Sequence, residues 1–233
     1  MRSVARLQPT PSLARRLTRS HARARRRSPY LQGVAVATLL PVVLLLARVR
    51  VRGREHLPGS GGFVLAPNHP SVLDGVFAAL AVLPRRISFM GMAELWRRPL
   101  PAWVMSRIGA FPVVRGTWDA DAFTTAATVL RRGRVLVMFP EGGVSPPGGY
   151  KPARAGIGHL AHTTGAVVVP VHLDGPRRLY RPWTWPRVTV TVGPPITVEE
   201  DPDPSRERSL ETARRILTAV AALDPGVAEH RAG

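Results

Sequence analysis

The sequence predicts an α/β fold in which a largely parallel mixed sheet is covered by helices on both faces. Short apolar runs such as FVLA and VVVPV are continuous rather than alternating, which is typical of strands buried on both faces. These runs alternate with longer segments of helical pattern that end at glycine or proline. Polar residues directly follow several of the runs, where α/β folds place their ligand sites. A length of 233 residues without an internal repeat fits one such domain.

Residues 1–30 differ from the rest of the chain in their charge. No Asp or Glu precedes Glu55, and thirteen arginines before that residue carry +13 of the formal net charge of +18. Large apolar residues are few in this stretch, so it buries too little surface to offset the entropy of ordering. We expect residues 1–30 to be a basic N-terminus that is disordered or lies on a surface.

Residues 31–48 contain an apolar run from Gly33 to Ala47 that carries no charge and is interrupted by Pro41. As a helix this run reaches roughly 22 Å, short of the hydrocarbon core of about 30 Å. Arginines flank it on both sides, and such charges favour an anionic leaflet. We expect an apolar helix over 31–48 that associates with a membrane. The alternatives are a buried helix, a signal peptide and a tilted span.

Residues 49–233 carry the alternating pattern and are assigned to the α/β domain. Arg48, Arg50 and Arg52 alternate with valines, which predicts a short strand with one charged face. Further strands are predicted over 62–66, 87–90, 135–139, 167–171 and 188–192. Helices are predicted over 72–83, from Asp119 or Asp121 to Arg132, over 153–164 and over 209–223. The segment 94–108 is interrupted by prolines, and we expect its Trp96 and Trp103 to be exposed.

The stretch APNHPSVLDG (66–75) places three polar side chains directly after a predicted buried strand. His69 and Asp74 are five apart, about 140° around a regular helix, so they cannot share a helix face. We therefore expect His69 in a turn, Ser71 as the N-cap and Asp74 in the first helical turn, reaching back to the imidazole. The carboxylate then fixes the imidazole tautomer, and the free ring nitrogen acts as a general base on a bound hydroxyl. Asn68 can hold the turn. The structural alternative is a capping histidine with a carboxylate at the helix dipole.

Three further segments near strand ends carry unusual residues: GAFPVVRG (109–116), FPEGG (139–143) and VVVPV (167–171). The first puts Arg115 in a loop, and the second puts Glu141 beside two glycines whose amides can approach a ligand closely. The third places Pro170 in a run suited to a central strand, which argues for a bulge or a strand end.

In this order and spacing, NHPSVLD, GAFPVVR, FPEGG and VVVPV resemble the four sequence blocks of the glycerolipid acyltransferase family. The family includes the 1-acylglycerol-3-phosphate acyltransferases, and the resemblance extends from about Val49 to about Gly193. It implies an enzyme that transfers a fatty acyl group from a coenzyme A or acyl carrier protein thioester to a hydroxyl of a lysophospholipid. The expected acceptor is 1-acylglycerol-3-phosphate, giving phosphatidic acid in phospholipid biosynthesis. Another lysolipid or glycerol 3-phosphate is the alternative.

The resemblance also implies roles for particular residues. His69 is then the general base and Asp74 its charge partner. The implied substrate-binding residues are Asn68, Phe111, Arg115, Glu141, Gly142 and Gly143. Arg115 is the candidate phosphate ligand, because a planar guanidinium suits bidentate phosphate contacts.

The third block departs from the family pattern. It commonly continues Glu-Gly-Thr-Arg-Ser, whereas this chain has Gly143 and Val144 after Glu141-Gly142, so an arginine often assigned to the acceptor phosphate is missing. Lys151 and Arg154 can supply that charge, or the acceptor is a different lysolipid. Solvated loop charges are the structural alternative for both residues.

The expected partners are a membrane lipid acceptor, an acyl thioester donor and an anionic membrane surface at the cytoplasmic face of the cell membrane. We expect neither a metal nor a resident cofactor, since the thioester is a co-substrate. Nucleic acid is not an expected partner, because the N-terminal arginines adjoin an apolar segment and lack interleaved aromatic residues. The absence of cysteine excludes disulfides, thiolate metal sites and a cysteine nucleophile.

Two other functions remain open on sequence grounds. A metal hydrolase can be drawn with His69 and four further residues, His159, His162, His172 and Asp174, although no H-E-x-x-H motif is present. A relative that binds lipid without catalysis is the second possibility. Retention of His69, Asp74, Arg115 and Glu141 argues against it.

Overall fold

A computed structural model describes residues 11–26, 41, 45–180 and 184–225. The described residues form one seven-stranded sheet in the order β1-β7-β6-β2-β5-β3-β4. The five strands from β6 to β4 are mutually parallel, while β7 is antiparallel to β6 and parallel to β1. The prediction of a largely parallel mixed sheet is therefore confirmed. The strands are β1 Arg48–Arg52, β2 Phe63–Pro67, β3 Ile87–Met92, β4 Ala110–Val113, β5 Val135–Val137, β6 Val168–Asp174 and β7 Arg187–Val192.

Helices cover both faces of this sheet. The α-helices are α1 Pro11–Arg26, α2 Asp74–Ala81, α3 Pro99–Ile108, α4 Ala120–Arg131, α5 Gly156–Thr164 and α6 Arg206–Ala222. Short 3₁₀ helices lie at Arg54–His56, Ala93–Trp96 and Pro176–Tyr180. Successive residues of a strand point to opposite faces. Accordingly Phe63 and Leu65 pack in the core with α2, whereas Val64 and Ala66 pack with α4, α5 and α6. Burial of β2 on both faces explains its unbroken apolar sequence.

The boundary signals of α4 were readable from the sequence. The Asp119 side chain accepts a hydrogen bond from the backbone N–H of Ala122, as an N-cap residue does. Gly133 follows the C-cap with a φ of 68°, a left-handed conformation that favours glycine. The prediction of this helix agrees with the structure, and of the two candidate caps, Asp119 and Asp121, the structure selects Asp119.

The expectation of a disordered segment over residues 1–30 is wrong for 11–26, which form α1. The helix packs on α3, α4, β4 and the 3₁₀ helix before α3. Leu13, Ser20, His21 and Ala24 are buried, while its arginines at 15, 19 and 23 are exposed. The composition argument failed because one helix face, with Leu13, Leu17, Ser20, His21 and Ala24 at spacings of three or four, is enough to dock a helix whose other faces are polar.

Trp96 was expected to be exposed and is instead fully buried. Its indole Nε1–H donates to Ser20 Oγ at 2.7 Å, which satisfies the one polar group of the ring. Trp103, by contrast, is 54% exposed on α3, as expected. The polar partner of the buried Trp96 indole comes from α1, a helix that the sequence analysis did not predict.

Pro170 lies inside β6 and not at its end, but the antiparallel register shifts by one residue beside it, from Val171 opposite Val192 to Val168 opposite Ile196, so of the two predicted alternatives the bulge agrees with the structure. Residues 167 and 171 direct their backbone carbonyls toward β2, so the N–H that Pro170 lacks would face β7. There β7 ends at Val192, and the carbonyl of Pro170 accepts from the N–H of Gly193 at 2.9 Å. The proline is tolerated because its missing donor falls at the end of the neighbouring strand.

Most of the segment 31–48, predicted to be an apolar helix, lies outside the described residues. Within the described part of the chain, none of the helices combines the length and the apolarity that crossing a membrane requires.

Candidate active site

His69 and Asp74 meet in the turn between β2 and α2. The imidazole Nδ1 is 2.9 Å from Asp74 Oδ2, and the backbone N–H of Ser71 donates to the same oxygen at 2.7 Å. Asp74 is fully buried in the first turn of α2, as predicted. The N-cap position is occupied by Leu73 and not by Ser71, because the chain makes one further turn before the helix begins.

Charge on Asp74 is costly, and the turn compensates for part of that cost. Burial raises the pKa of this carboxyl, and the hydrogen bonds from His69 and from the Ser71 N–H oppose the rise. A carboxylate accepts from Nδ1–H and so fixes the imidazole tautomer, leaving Nε2 with a free lone pair. The ring stacks on Phe139, with centroids 3.9 Å apart and planes 14° apart, and it lines the cavity described below. The pair is therefore built to accept a proton at Nε2.

Glu141 connects the loop after β5 to the His69 turn. One carboxylate oxygen accepts from the backbone N–H of His69 at 2.8 Å. The other accepts from the Ser145 hydroxyl and from the Lys151 N–H, the latter at 2.7 Å. Ser145 in turn donates its backbone N–H to the His69 carbonyl at 2.8 Å. Burial raises the pKa of Glu141, and the two backbone N–H bonds work against that rise.

Three cationic side chains gather around Gly142 and Gly143. A methyl group placed on Gly143 would lie 3.4 Å from Arg115 Nη1 and 3.7 Å from Lys151 Nζ. One placed on Gly142 would lie 3.0 Å from Arg154 Cγ, and the φ of Gly142 is 66°. All three cations are solvent-exposed. Gly143 thus leaves an open position beside two positive charges, those of Arg115 and Lys151, a setting suited to a phosphate group, while the methylene carbons of Arg154 lie beside Gly142.

A cavity of about 770 Å³ extends from His69 into the protein between α2, β3 and α3. Arg115, Gly142, Val144 and Arg154 line it near the cationic cluster. Its remaining wall is mostly apolar and includes Val76, Ala79, Leu80, Leu83, Ile87, Phe89, Met90, Met105, Ile108 and Val113. A polar mouth beside His69 and a deep apolar interior suit a ligand with a charged head and a hydrocarbon chain.

Some predicted site residues do not reach this cavity. Both polar atoms of the Asn68 amide bond the backbone of Leu173, which ties the turn to β6 as anticipated for this residue. Phe111 is fully buried in the core formed with α4, α5 and α6. The Glu141 carboxylate is occupied by protein donors. The structure brings His69, Arg115, Gly142 and Gly143 together, with Asp74 behind them, and leaves Asn68, Phe111 and the Glu141 carboxylate in supporting positions.

Residues 48–174 match the sequence model of the family described as Acyltransferase, which is more than half of the chain. The chain belongs to the glycerolipid acyltransferase family.

Similar proteins agree with this placement. The 1-acyl-sn-glycerol-3-phosphate acyltransferase of Bacillus subtilis is 28% identical over 174 residues, covering 74% of this chain and 86% of that protein. The human 1-acyl-sn-glycerol-3-phosphate acyltransferase alpha is 32% identical over 161 residues, 65% of this chain and 56% of that protein. The crystal structure of the 1-acyl-sn-glycerophosphate (LPA) acyltransferase PlsC from Thermotoga maritima superposes with a TM-score of 0.61. The two sequences are 23% identical, and the superposition covers 94% of this chain and 88% of the PlsC chain. This likeness supports the α/β fold.

The histidines that a metal hydrolase would use are dispersed in this acyltransferase. His159 packs edge-on against Trp118, His162 bonds the Glu199 carbonyl and the Thr212 hydroxyl, and His172 contacts the Tyr150 hydroxyl. Within the described ranges, no group of three or more His, Asp or Glu residues has metal-binding geometry.

Two residues of the acyltransferase site were missed in the sequence. Ser145 and Arg177 bond the backbone of the loops that carry His69 and Glu141. Their action through backbone groups leaves no spacing signal, because the partners are brought together by the fold and not by the local sequence.

Proposed function

We propose that this O-acyltransferase transfers a fatty acyl group from an acyl thioester to the free hydroxyl of 1-acylglycerol-3-phosphate, giving phosphatidic acid. The donor is acyl-coenzyme A or an acylated carrier protein. The observation that carries the proposal is the His69 imidazole, held by the buried Asp74 carboxylate, where an apolar cavity meets the two positive charges of Arg115 and Lys151 beside Gly143. Relatives named as 1-acyl-sn-glycerol-3-phosphate acyltransferases support the choice of acceptor.

The proposed chemistry uses groups already present in the turn. His69 Nε2 takes the proton of the acceptor hydroxyl while that oxygen attacks the thioester carbonyl carbon. The tetrahedral intermediate collapses, the C–S bond breaks, and the leaving thiolate takes the proton back from the imidazolium. Asp74, 2.9 Å from Nδ1, stabilises the imidazolium between these steps. The products are an ester and a free thiol, and His69 is regenerated.

The cationic cluster is proposed to hold the acceptor phosphate. Lys151 supplies a positive charge close to the position where the family pattern has an arginine and this chain has Val144. Arg115 offers a planar fork to two phosphate oxygens, and Lys151, which also lies beside the Gly143 position, acts as a point charge. The apolar cavity is proposed to take a hydrocarbon chain of the substrates.

The membrane is the proposed source of the acceptor. Val72 and Leu73 are exposed immediately after the His69 turn, and Leu100, Trp103 and Val104 are exposed on α3. Arginines before residue 55 are proposed to attract the anionic cytoplasmic leaflet, each contributing about 1 kcal/mol near the surface.

A lysolipid panel tests the reaction directly. Purified protein is offered labelled acyl-coenzyme A or acylated carrier protein with lysophosphatidate, neutral and zwitterionic lysolipids, or glycerol 3-phosphate. We expect phosphatidic acid as the main product, and a loss of about 10²–10⁴-fold in kcat for His69→Ala, the range that general base catalysis contributes. His56→Ala, a half-buried histidine on the 3₁₀ helix after β1, is the control. A panel in which lysophosphatidate is not acylated would remove the acceptor assignment, and full turnover by His69→Ala would remove the mechanism.

A second experiment tests the phosphate site. Lys151→Ala should raise the acceptor KM about tenfold, equivalent to ~1.4 kcal/mol, with kcat little changed, because the contact is made in both ground and transition states. Arg214→Ala, an exposed arginine on α6, is the matched control. Introducing Val144→Arg into the Lys151→Ala protein should restore the KM for lysophosphatidate but not for an uncharged lysolipid. An unchanged KM in Lys151→Ala would show that Lys151 is an ordinary solvated charge.

A further inference from the structure

Arg177 lies outside the four sequence blocks, yet it contacts two of the loops that build the site. It belongs to the 3₁₀ helix Pro176–Tyr180 that follows β6, just beyond the end of the family match at residue 174. The side chain is half-buried. Its Nε–H donates to the Pro70 carbonyl at 2.6 Å, and its Nη2–H donates to the Ser145 carbonyl.

The two carbonyls belong to different loops with different tasks. Pro70 belongs to the turn that carries His69. The next residue, Ser71, donates its backbone N–H to the Asp74 carboxylate. Ser145 bonds the His69 carbonyl through its N–H and the Glu141 carboxylate through its hydroxyl. One guanidinium therefore closes a ring of hydrogen bonds from the His69 turn, through Ser145, and back. A planar fork of donors can reach two carbonyls at once, which a lysine ammonium on a single flexible stem does less well.

We propose that Arg177 is a positioning residue that clamps the His69 turn to the loop carrying Glu141, Ser145 and Lys151. The inference rests on the proposed function, since it assigns Arg177 the task of aligning the imidazole with an acceptor held at the cationic cluster. The clamp keeps the His69–Asp74 pair and the phosphate site at a fixed separation. A misplacement of about 1 Å in such a site reduces turnover by about 10²-fold.

The positive charge of Arg177 also supports the His69–Asp74 pair, because it favours the ionised form of Asp74. Burial raises the pKa of Asp74, and the nearby guanidinium is one of the groups that hold this rise in check. Among the described residues, the titratable and charged groups that act on Asp74 are His69 and Arg177. Removing the guanidinium should therefore move the acid limb of the pH–rate profile to higher pH, because more alkaline conditions are needed to ionise the carboxyl.

Three variants separate charge from geometry. Arg177→Ala should reduce kcat by roughly 10- to 100-fold and shift the acid limb upward. Arg177→Lys keeps the charge and should preserve the acid limb while recovering only part of kcat. Arg178→Ala is the matched control, because Arg178 is the exposed neighbour on the same turn and pairs only with Asp174, at 3.7 Å, among the described residues.

Hydrogen exchange provides a readout that does not depend on turnover. In Arg177→Ala, the amides of Ser71, Ser145 and Lys151 should exchange faster, while those of Val64 and Leu65 in β2 keep their protection. Unchanged exchange at the three loop amides, or an unchanged kcat and acid limb in a wild type that acylates a lysolipid, would overturn the clamp. A wild type that acylates no lysolipid, but whose loop amides lose protection in Arg177→Ala, would instead overturn the proposed function and leave the clamp standing. If Arg177→Ala does not fold, Arg177→Lys decides the question by the same two measurements.

Discussion

Replacing Asp74 by asparagine separates the charge of the buried carboxylate from its shape. Oδ2 accepts from His69 Nδ1 and from Ser71 N–H, whereas Oδ1 is buried and has no hydrogen-bond partner in the part of the chain that the structure describes. An asparagine whose amide oxygen occupies the Oδ2 position keeps both bonds. The Ser71 N–H, a fixed donor, selects that orientation. The substitution thus removes the negative charge, and it places the amide NH2 at the buried Oδ1 position, where no acceptor lies among the described residues, at a cost of about 1–3 kcal/mol in stability that does not depend on pH.

The expected loss of activity follows from the His69–Asp74 distance. A charged hydrogen bond contributes about 1.5–3 kcal/mol net, and two charges 4 Å apart interact by about 4 kcal/mol at an effective dielectric constant of about 20. Losing about 2–4 kcal/mol of imidazolium stabilisation lowers kcat roughly 30- to 900-fold. The acceptor KM should change little, because Asp74 lies behind the imidazole and does not line the cavity.

The same substitution should lower activity but make thermal stability less sensitive to rising pH. Burial raises the folded-state pKa of Asp74 above its unfolded value, so the stability it contributes is present below about pH 4 and is lost as pH rises through the folded pKa. Asparagine has no such loss. Asp74→Asn should therefore gain in Tm relative to the wild type as pH rises from about 4.5 to 7. Steady-state kinetics and thermal unfolding at both pH values measure the two effects. A kcat within about threefold of wild type, or a Tm gap that narrows with rising pH, would refute the reasoning.

Three further predictions concern the cavity, the N-terminal helix and acid stability. Leu83→Trp should reduce activity with long-chain acyl thioesters more than with short-chain ones. Leu83 lines the cavity beyond the end of α2, roughly 13 Å along the helix direction from Asp74. The measurement is the ratio of kcat/KM for a long-chain thioester to kcat/KM for a short-chain one. Ser20→Ala should lower the free energy of unfolding by about 1–3 kcal/mol in chemical denaturation, since it leaves the buried Trp96 N–H without its acceptor. Burial lowers the pKa of His172, so the free energy of folding that the neutral imidazole contributes is present above about pH 6.5 and is lost as the pH falls. Between pH 7.5 and 5.5, the Tm of His172→Gln should therefore fall less than the Tm of the wild type.

The sheet and the His69–Asp74 pair were predictable because their signals are local. Strands buried on both faces leave continuous apolar runs, and five-residue spacing restricts where a histidine and an aspartate can meet. A cap at Asp119 or Asp121 was readable for the same reason, since an N-cap acts on a donor three residues away; the structure selects Asp119.

Features that depend on contacts distant in sequence were missed. Docking of α1 requires Ser20 to meet Trp96 and Ser106, more than seventy residues away. The position of Pro170 depends on where β7 happens to end. Neither the composition of residues 1–30 nor the run VVVPV contains that information, so disorder and a bulge were the reasonable local inferences. The structure overturned disorder for residues 11–26, and it shows a one-residue register shift beside Pro170, as the bulge inference expected.

Glu141 illustrates how charge decides between two roles for one residue. An acidic side chain beside two glycines at a strand end suggested contact with the acceptor. A buried carboxylate beside a phosphate would repel it, however, and burying the charge is tolerable only if donors surround it. The structure gives Glu141 donors from His69, Ser145 and Lys151, which consume both of its oxygens. Its negative charge therefore organises the loop from behind. The positive charges of Arg115 and Lys151 are left beside the open position at Gly143, where an anionic head group can bind.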